Sequence, residues 1–545
     1  MSSPLPIQLL DTTLRDGSQT AGINFSSEDK MRIAHRLADF GIDFIEGGWP
    51  GASPKDDHFF DLMQDRSWSQ SQLTAFGSTA RPGHAASEDK GLAKLATCGA
   101  DAVCIFGKSW SLHVQKALDI GLSENLDLVY DSITYLKQHF TTVLFDAEHF
   151  FDGFKANPEY AVKVLEAAAS AGADTMVLCD TNGGSIPFLV AGVITDMLKR
   201  FPDTTIGIHA HNDCELAVAN TIAAARVGAG HIQGTINGIG ERCGNANLIS
   251  VIPNLCLKMG LDCGLGPEKL KDLSSLSAYI NEIANRLPWR HQPFVGQHAF
   301  SHKGGIHVSA IRKDSVLYEH IHPELVGNRQ RVMVSDQAGR SNVIFKTAEM
   351  NLGEQIDAND PVVASIVAHV KKLEDMGYAF EGAEGSFRLL LLKALKRFSH
   401  YFELEGYRVI DSKQSHEGKP QAEATVMITV GGEFAHTAAL GKGPVNAIDR
   451  ALRSALKDFY PSLKSMRLID YKVRVLTTTK ATEAVVRVLI ESTDGQKKWG
   501  TVGVSTNIID ASYQALVDAI EYKLILDGIT PPEDTQKEIS PLSSQ

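Results

Sequence analysis

A chain of 545 residues with 43% apolar and 22% charged residues has the ordinary globular mix. That excludes a disulfide-stapled mini-domain and a disordered chain, and leaves room for three or four folding units at roughly 150 residues each. Fifty-three Lys and Arg against 65 Asp and Glu give a net charge of −12, which argues against general nucleic-acid binding and against docking on anionic lipid.

The first six residues show no signal-peptide pattern, and no window reaches the 18 or more apolar residues of a membrane helix. The seven cysteines include no C-x-x-C pair. The expectation is a cytoplasmic protein with reduced thiols, none of them a zinc ligand, that binds neither membrane nor nucleic acid. Up to about residue 260, short apolar runs alternate with longer helical patterns. Strands are predicted at 7–11, 44–48, 73–77, 102–106, 142–146, 175–180, 205–209 and 231–236. Between them, 27–40 sets Met31, Ile33, Ala34, Leu37 and Phe40 at near-helical spacing, with Glu28 and Asp29 in its first turn. Segments 158–171 and 215–227 read the same way. Eight strand–helix repeats without a hairpin signal predict an α/β fold, a closed (β/α)₈ TIM barrel over residues 1–285, with a doubly wound open sheet as the alternative.

Residues 286–398 are predicted to form a lid and a mainly helical linker: 264–287 is helical, 288–305 irregular, and 362–376 periodic. From 399 to 530 strands and helices recur in two similar passes, an α+β regulatory domain. Strand 422–430 precedes G-K-G-P at 441–444 and a helix at 445–460; strands 472–476, 484–491 and 498–505 precede a helix at 509–526. The Pro/Ser-rich tail, 531–545, is predicted to be disordered.

A barrel places its chemistry just after its strands, where this sequence is unusually polar. The first strand runs into D-T-T-L-R-D-G, 11–17, with two carboxylates and a guanidinium within six residues. Such charges are costly beside an apolar strand unless paired or bound to something charged; a solvated loop with a local Asp–Arg pair is the alternative. The seventh strand supplies His209 and His211, two apart and therefore on one face. With Asp16 they make the two-nitrogen, one-oxygen donor set of an open metal site, although two histidines are also satisfied by ordinary hydrogen bonds. Asn245, after the eighth strand, is a candidate fourth ligand through its amide oxygen. Glu46, Arg81, Glu148 and the run Asp180-Thr181-Asn182 repeat the pattern at other strand ends, each with a cap or salt bridge as the competing role. Past the barrel, His302 and His307 flank Gly304 and Gly305 in H-K-G-G-I-H, which suits a lid carrying a titrating imidazole as well as it suits two surface histidines.

The motifs L-R-D-G, H-A-H-N-D, G-E-R-C-G-N-A-N and H-K-G-G-I-H, with Arg15, Asp16 and Glu46 at strand ends, resemble the DRE-TIM metallolyase superfamily. They are most similar to its acyl-CoA-condensing branch of 2-isopropylmalate, homocitrate and citramalate synthases. Within that branch, I-E-G-G-W-P-G-A-S-P-K-D at 45–56 looks most like the citramalate-forming members, which implies acetyl-CoA and pyruvate as substrates on a route to isoleucine. The resemblance implies a divalent cation (Mn, Mg, Zn or Co) held by Asp16, His209, His211 and Asn245. It implies Arg15 beside the developing alkoxide, and Glu46, Arg81, Thr181 and His302 at the substrate. The base it implies is His307 assisted by Glu148, or Glu148 alone. It further implies a homodimer with exchanged lids and inhibition by isoleucine or leucine at the carboxy-terminal domain. Other superfamily members cleave carbon–carbon bonds, which is the rival reaction class.

Overall fold

The protein is described by a computed structural model over residues 7–333, 340–350, 360–413, 421–476 and 484–532. Eight parallel strands form the first unit: β1 (Gln8–Asp11), β2 (Phe44–Gly48), β3 (Gln72–Ser78), β4 (Ala102–Lys108), β5 (Thr142–Glu148), β6 (Thr175–Asp180), β7 (Thr205–Ala210) and β8 (His231–Gly234). They pair in sequence order, and β8 returns to β1 in the register Gln8↔His231 to Asp11↔Gly234. An open doubly wound sheet would leave two edges, so this closure decides for the TIM barrel.

The helices form for the reasons the pattern gives. Ser27–Phe40 opens on a capping box: the Ser26 hydroxyl accepts from the Asp29 N–H while the Asp29 carboxylate accepts from the Ser26 N–H, and the helix stops at Gly41 with φ +106°. Ile33, Ala34, Leu37 and Phe40 are buried against the barrel, and Met31 only half so. Each large side chain so covered stabilises the fold by about 1.5–3 kcal/mol. Inside the barrel Leu10, Phe44, Phe76, Ala102, Cys104 and Leu144 pack together. This plug leaves the carboxyl ends of the strands as the place for a cavity.

Several predicted boundaries move. Strand β8 ends at Gly234 because Asn237 takes φ +64° and the Ile236 N–H turns to the Thr13 hydroxyl, so 235–236 leave the ladder. The helix expected over 264–287 is two, Pro267–Leu270 and Leu273–Ile283.

The first unit comprises residues to Phe300 together with Ile321–Gln330, and the second comprises Ser301–His320 and the chain from Arg331. In the second unit β9 (Ser301–His302) pairs with β10 (Arg331–Val332), and helices span Gly305–Ile311, Arg340–Glu349, Pro361–Asp375 and Glu384–Ala394. Two antiparallel sheets follow. The first is β11 (Glu403–Ser412), β12 (Gln421–Val430) and β13 (Glu433–Gly441), then the helix Pro444–Leu456. The second is β14 (Arg467–Val475), β15 (Val486–Thr493) and β16 (Lys498–Ser505), then the helix Ile508–Leu526. Ala422, Ala424, Val426 and Ile428 alternate into the core against Ala447, Ile448, Ala451 and Leu452. Strands β11 and β13 escape the sequence pattern because neither has a buried face. From residue 533 the predicted tail lies outside the described residues. No helix among the described residues is long and apolar enough to cross a membrane.

Candidate active site

Three side chains from the first and seventh strand ends converge. Asp16 Oδ2 lies 3.5 Å from His209 Nε2 and 3.7 Å from His211 Nε2, and the two imidazole nitrogens are 3.3 Å apart. All three residues are buried. Residues 209 and 211 share a face because they are two apart on extended backbone, and β8, which pairs with both β1 and β7, draws those two strand ends together.

Asn245 joins the cluster through its amide. Its Nδ2 lies 3.1 Å from Asp16 Oδ2 and 3.0 Å from His209 Nε2, while its Oδ1 is buried without a hydrogen-bond partner. The approach requires glycine at 240, where a Cβ would stand 1.8 Å from Asn245 Oδ1.

Arg15 faces the same cavity. Its Nε donates to Glu46 Oε2 at 2.7 Å, its Nη1 lies 3.2 Å from Asp16 Oδ2, and the guanidinium sits 3.8 Å over the Phe76 ring. Glu46 is fully buried and also accepts from the Thr12 hydroxyl at 2.5 Å. It stands behind Arg15 and is not part of the cavity lining.

These charges set one another's protonation. Burial works to raise the Asp16 carboxyl, but Arg15, His209 and His211 together hold it well below the usual carboxylate range. Burial opposes charge on His209, yet its contact with Asp16 raises it. His211, buried beside His209, is pushed down to about 3. Asp146, two residues before Glu148 on β5 and therefore on the same face, is raised by burial to about 6.

The cavity, about 280 Å³, is lined by Arg15, Asp16, Asp146, Glu148, Thr181, His209, His211 and Arg242. Trp49, Phe76 and Phe106 form an aromatic wall with ring centroids 5.5 to 5.7 Å apart. Glu148 pairs with Lys108 from the end of β4. The Thr181 hydroxyl accepts from the His149 N–H at 2.8 Å.

Not every predicted residue gathers here. Arg81 is exposed and bonds through its backbone N–H to Asp89, outside the cavity. Asp180 caps the turn at Ser185, and Asn182 donates to Asp152. His302 and His307 belong to the second unit. There His302 Nε2 lies 3.1 Å from Glu319 Oε1, and the exposed His307 ring stacks on Tyr318 with centroids 4.2 Å apart.

Lys108, Asp146, Gln233 and Arg242 are functional candidates that the sequence pattern did not single out. Lys108 and Asp146 carried a signal, as polar side chains ending or inside a mostly apolar strand. Arg242 makes two bonds to the Asp213 carboxylate at 2.8 Å and donates to the Thr181 carbonyl at 2.7 Å, bracing the loop over the cavity.

Three family models cover most of the chain: HMGL-like over residues 6–276, homocitrate synthase post-HMGL domain-like over 294–378, and the LeuA allosteric (dimerisation) domain over 381–524. The (R)-citramalate synthase of Geobacter sulfurreducens is 53% identical over 518 residues, 95% of this chain and 97% of that protein. The corresponding protein of Aquifex aeolicus is 52% identical over 521 residues, 96% and 98% of the two chains. A 2-isopropylmalate synthase of Methanocaldococcus jannaschii is 30% identical over 522 residues, 95% of each chain. Each of these alignments spans at least 95% of this chain. With both the barrel and the carboxy-terminal module inside the stronger matches, the chain belongs to the (R)-citramalate synthase family.

Proposed function

We propose that this enzyme condenses acetyl-CoA with pyruvate and hydrolyses the thioester, giving (R)-citramalate and CoA in isoleucine biosynthesis. The observation that carries the reading is the convergence of Asp16, His209 and His211 beside the Arg15 guanidinium in one cavity.

The donor set fits a divalent cation. Two imidazole nitrogens and a carboxylate oxygen lie within 4.8 Å of one another, and the orphaned Asn245 Oδ1 becomes a fourth donor if its amide turns over. When bound, the cation supplies Lewis acidity to the ketone and carboxylate oxygens of a 2-oxo acid. His209 and His211 are neutral ligands in that state, and Asp16 contributes the charge.

The protein's own groups do the rest. Arg15 donates to the ketone oxygen as negative charge develops there, and Glu46 keeps the guanidinium aimed. The Thr181 hydroxyl holds the substrate carboxylate. His307, assisted by Glu148, takes a proton from the acetyl methyl group; the resulting enolate carbon attacks the ketone carbon, and water then cleaves the thioester, releasing CoA. Glu148 is suited to assist because Lys108 fixes its carboxylate at the cavity wall. The aromatic wall of Trp49, Phe76 and Phe106 gives the cavity an apolar side that suits the methyl group of pyruvate.

We place the enzyme in the cytoplasm as a homodimer under feedback by isoleucine, or leucine, bound at the carboxy-terminal domain; the match to the LeuA allosteric (dimerisation) domain supports a dimer and a feedback effector. The domain boundaries 1–285, 286–398 and 399–530 are part of the same reading. The test is CoA release with pyruvate, 2-oxoisovalerate and 2-oxoglutarate in parallel, each with Mn²⁺, Mg²⁺, Zn²⁺ or Co²⁺. Pyruvate is expected to be fastest. If it is the poorest of the three, the substrate assignment falls.

A further inference from the structure

His209 is held from behind as well as in front. Its Nδ1 lies 2.8 Å from Gln233 Oε1, and Gln233 Nε2 lies 3.0 Å from Asp146 Oδ1. The three residues come from β7, β8 and β5, and His209 and Gln233 are register partners across the β7–β8 ladder. Gln233 is 0% exposed, Asp146 4% and His209 5%, so these contacts are largely shielded from solvent.

The donors and acceptors leave one arrangement. An ionised carboxylate only accepts, so Asp146 takes the amide NH₂ of Gln233. The amide oxygen then faces His209. An oxygen requires a donor, so Nδ1 of His209 carries the proton, and its Nε2 presents a lone pair toward Asp16 and His211. Were the amide reversed, its N–H would meet Nδ1, the proton would move to Nε2, and the lone pair that a cation needs would point away from the cluster.

We infer that Gln233 is a positioning residue: it transmits the acceptor-only character of Asp146 to His209 and fixes the tautomer and ring orientation in which His209 serves as a metal ligand. The inference rests on the metal-centre reading above. Gln233 does not touch the substrate, and its effect is on the affinity of the site for its cation. Groups that orient a ligating histidine typically change metal affinity by about 10- to 100-fold when lost.

The test uses the full-length protein stripped with a chelator and titrated calorimetrically with Mn²⁺ alone. His209→Ala is expected to abolish measurable binding. Gln233→Met, similar in shape but without the amide, is expected to weaken the dissociation constant by about 10- to 100-fold. Gln233→Glu is expected to regain most of the loss, since a carboxyl shared with Asp146 still offers an oxygen to Nδ1–H. A packing role would not be rescued in this way.

The imidazole ¹⁵N spectrum of the apoprotein gives a second readout, with His209 assigned by its disappearance in His209→Ala. A protonated Nδ1 is expected in the wild type and a tautomer mixture in Gln233→Met. If Gln233→Met fails to fold, Asp146→Asn takes its place, because an asparagine presents either oxygen or NH₂ and no longer dictates the amide's direction. Mn²⁺ binding within twofold of wild type in Gln233→Met or its replacement, with the His209 tautomer unchanged, overturns the inference. Undiminished Mn²⁺ binding in His209→Ala instead overturns the metal-centre reading itself.

Discussion

Arg15 carries the sharpest functional expectation because every bond it makes is visible. Its Nε and Nη1 are committed to Glu46 and Asp16 at 2.7 and 3.2 Å, and its flat face lies on Phe76. Arg15→Lys keeps a positive charge but cannot make two directed bonds and a planar stack together. Losing one donor to a developing oxyanion costs about 10²- to 10³-fold in kcat, roughly 2.7–4 kcal/mol of transition-state stabilisation. Arg15→Met is therefore expected to lose at least about 10²-fold, and Arg15→Lys about 10- to 10²-fold. The methionine variant also leaves Glu46 buried with only the Thr12 hydroxyl. Breaking a buried pair from one side costs about 3–5 kcal/mol of stability, so its melting temperature should fall as well. The double variant Arg15→Met/Glu46→Gln separates the two effects: stability should return and turnover should not. The assay is steady-state CoA release, with thermal unfolding followed on the same preparations. Should the lysine variant turn over within about threefold of wild type, or the double variant recover activity, Arg15 acts only as a support for the loop and the electrostatic account of this site fails.

Three other outcomes are expected. His307→Ala should keep metal and pyruvate binding by calorimetry while slowing turnover by about 10²- to 10⁴-fold; equal loss of metal in His307→Ala and His209→Ala would refute their separate roles. Removing the chain beyond about residue 400 should abolish inhibition by isoleucine, with Mn²⁺ binding as the check that the barrel survives, and retained inhibition would move the effector site elsewhere. His231 gives a pH signature: it is fully buried at the start of β8, neither ring nitrogen has a hydrogen-bond partner, and burial lowers it from 6.5 to about 3. The unfolded chain takes up this proton as pH falls below 6.5 and the native barrel does not until about 3, so stability is present above 6.5 and lost on acidification, by about 2 kcal/mol at pH 5. His231→Leu should flatten the acid side of the melting-temperature profile; a profile parallel to wild type would show that the ring is hydrated or paired in solution.

The barrel was legible because short apolar runs alternate repeatedly with helical patterns, punctuated by caps and turns such as those at Ser26 and Gly41. The convergence of Asp16, His209 and His211 was legible for a different reason. An H-x-H in a strand fixes its own geometry, and the closure of β8 on β1 supplies the rest. Glu46 was picked out as a substrate contact and instead stands behind Arg15, a distinction that depends on how deep along β2 the side chain lies and that strand position alone does not contain. Arg81 lies outside the cavity for a related reason: it follows β3 by three residues, and its backbone N–H bonds to Asp89.

What the sequence hid is instructive about where specificity resides. Asp146 and Gln233 are buried polar residues of β5 and β8, 87 positions apart, and nothing local says that they meet. A buried amide or carboxylate left alone costs about 1–3 kcal/mol or more, so each of them announces that a partner exists without naming it. The partner is named only when the barrel closes. His209 thus answers to two sets of constraints at once, the charged cluster on its Nε2 side and a neutral relay on its Nδ1 side, and the second set has a direction that packing alone would not impose. A protein that needed His209 only as a filled position in the barrel would have no use for a carboxylate two hydrogen bonds away; one that needs a lone pair aimed at a fixed point does.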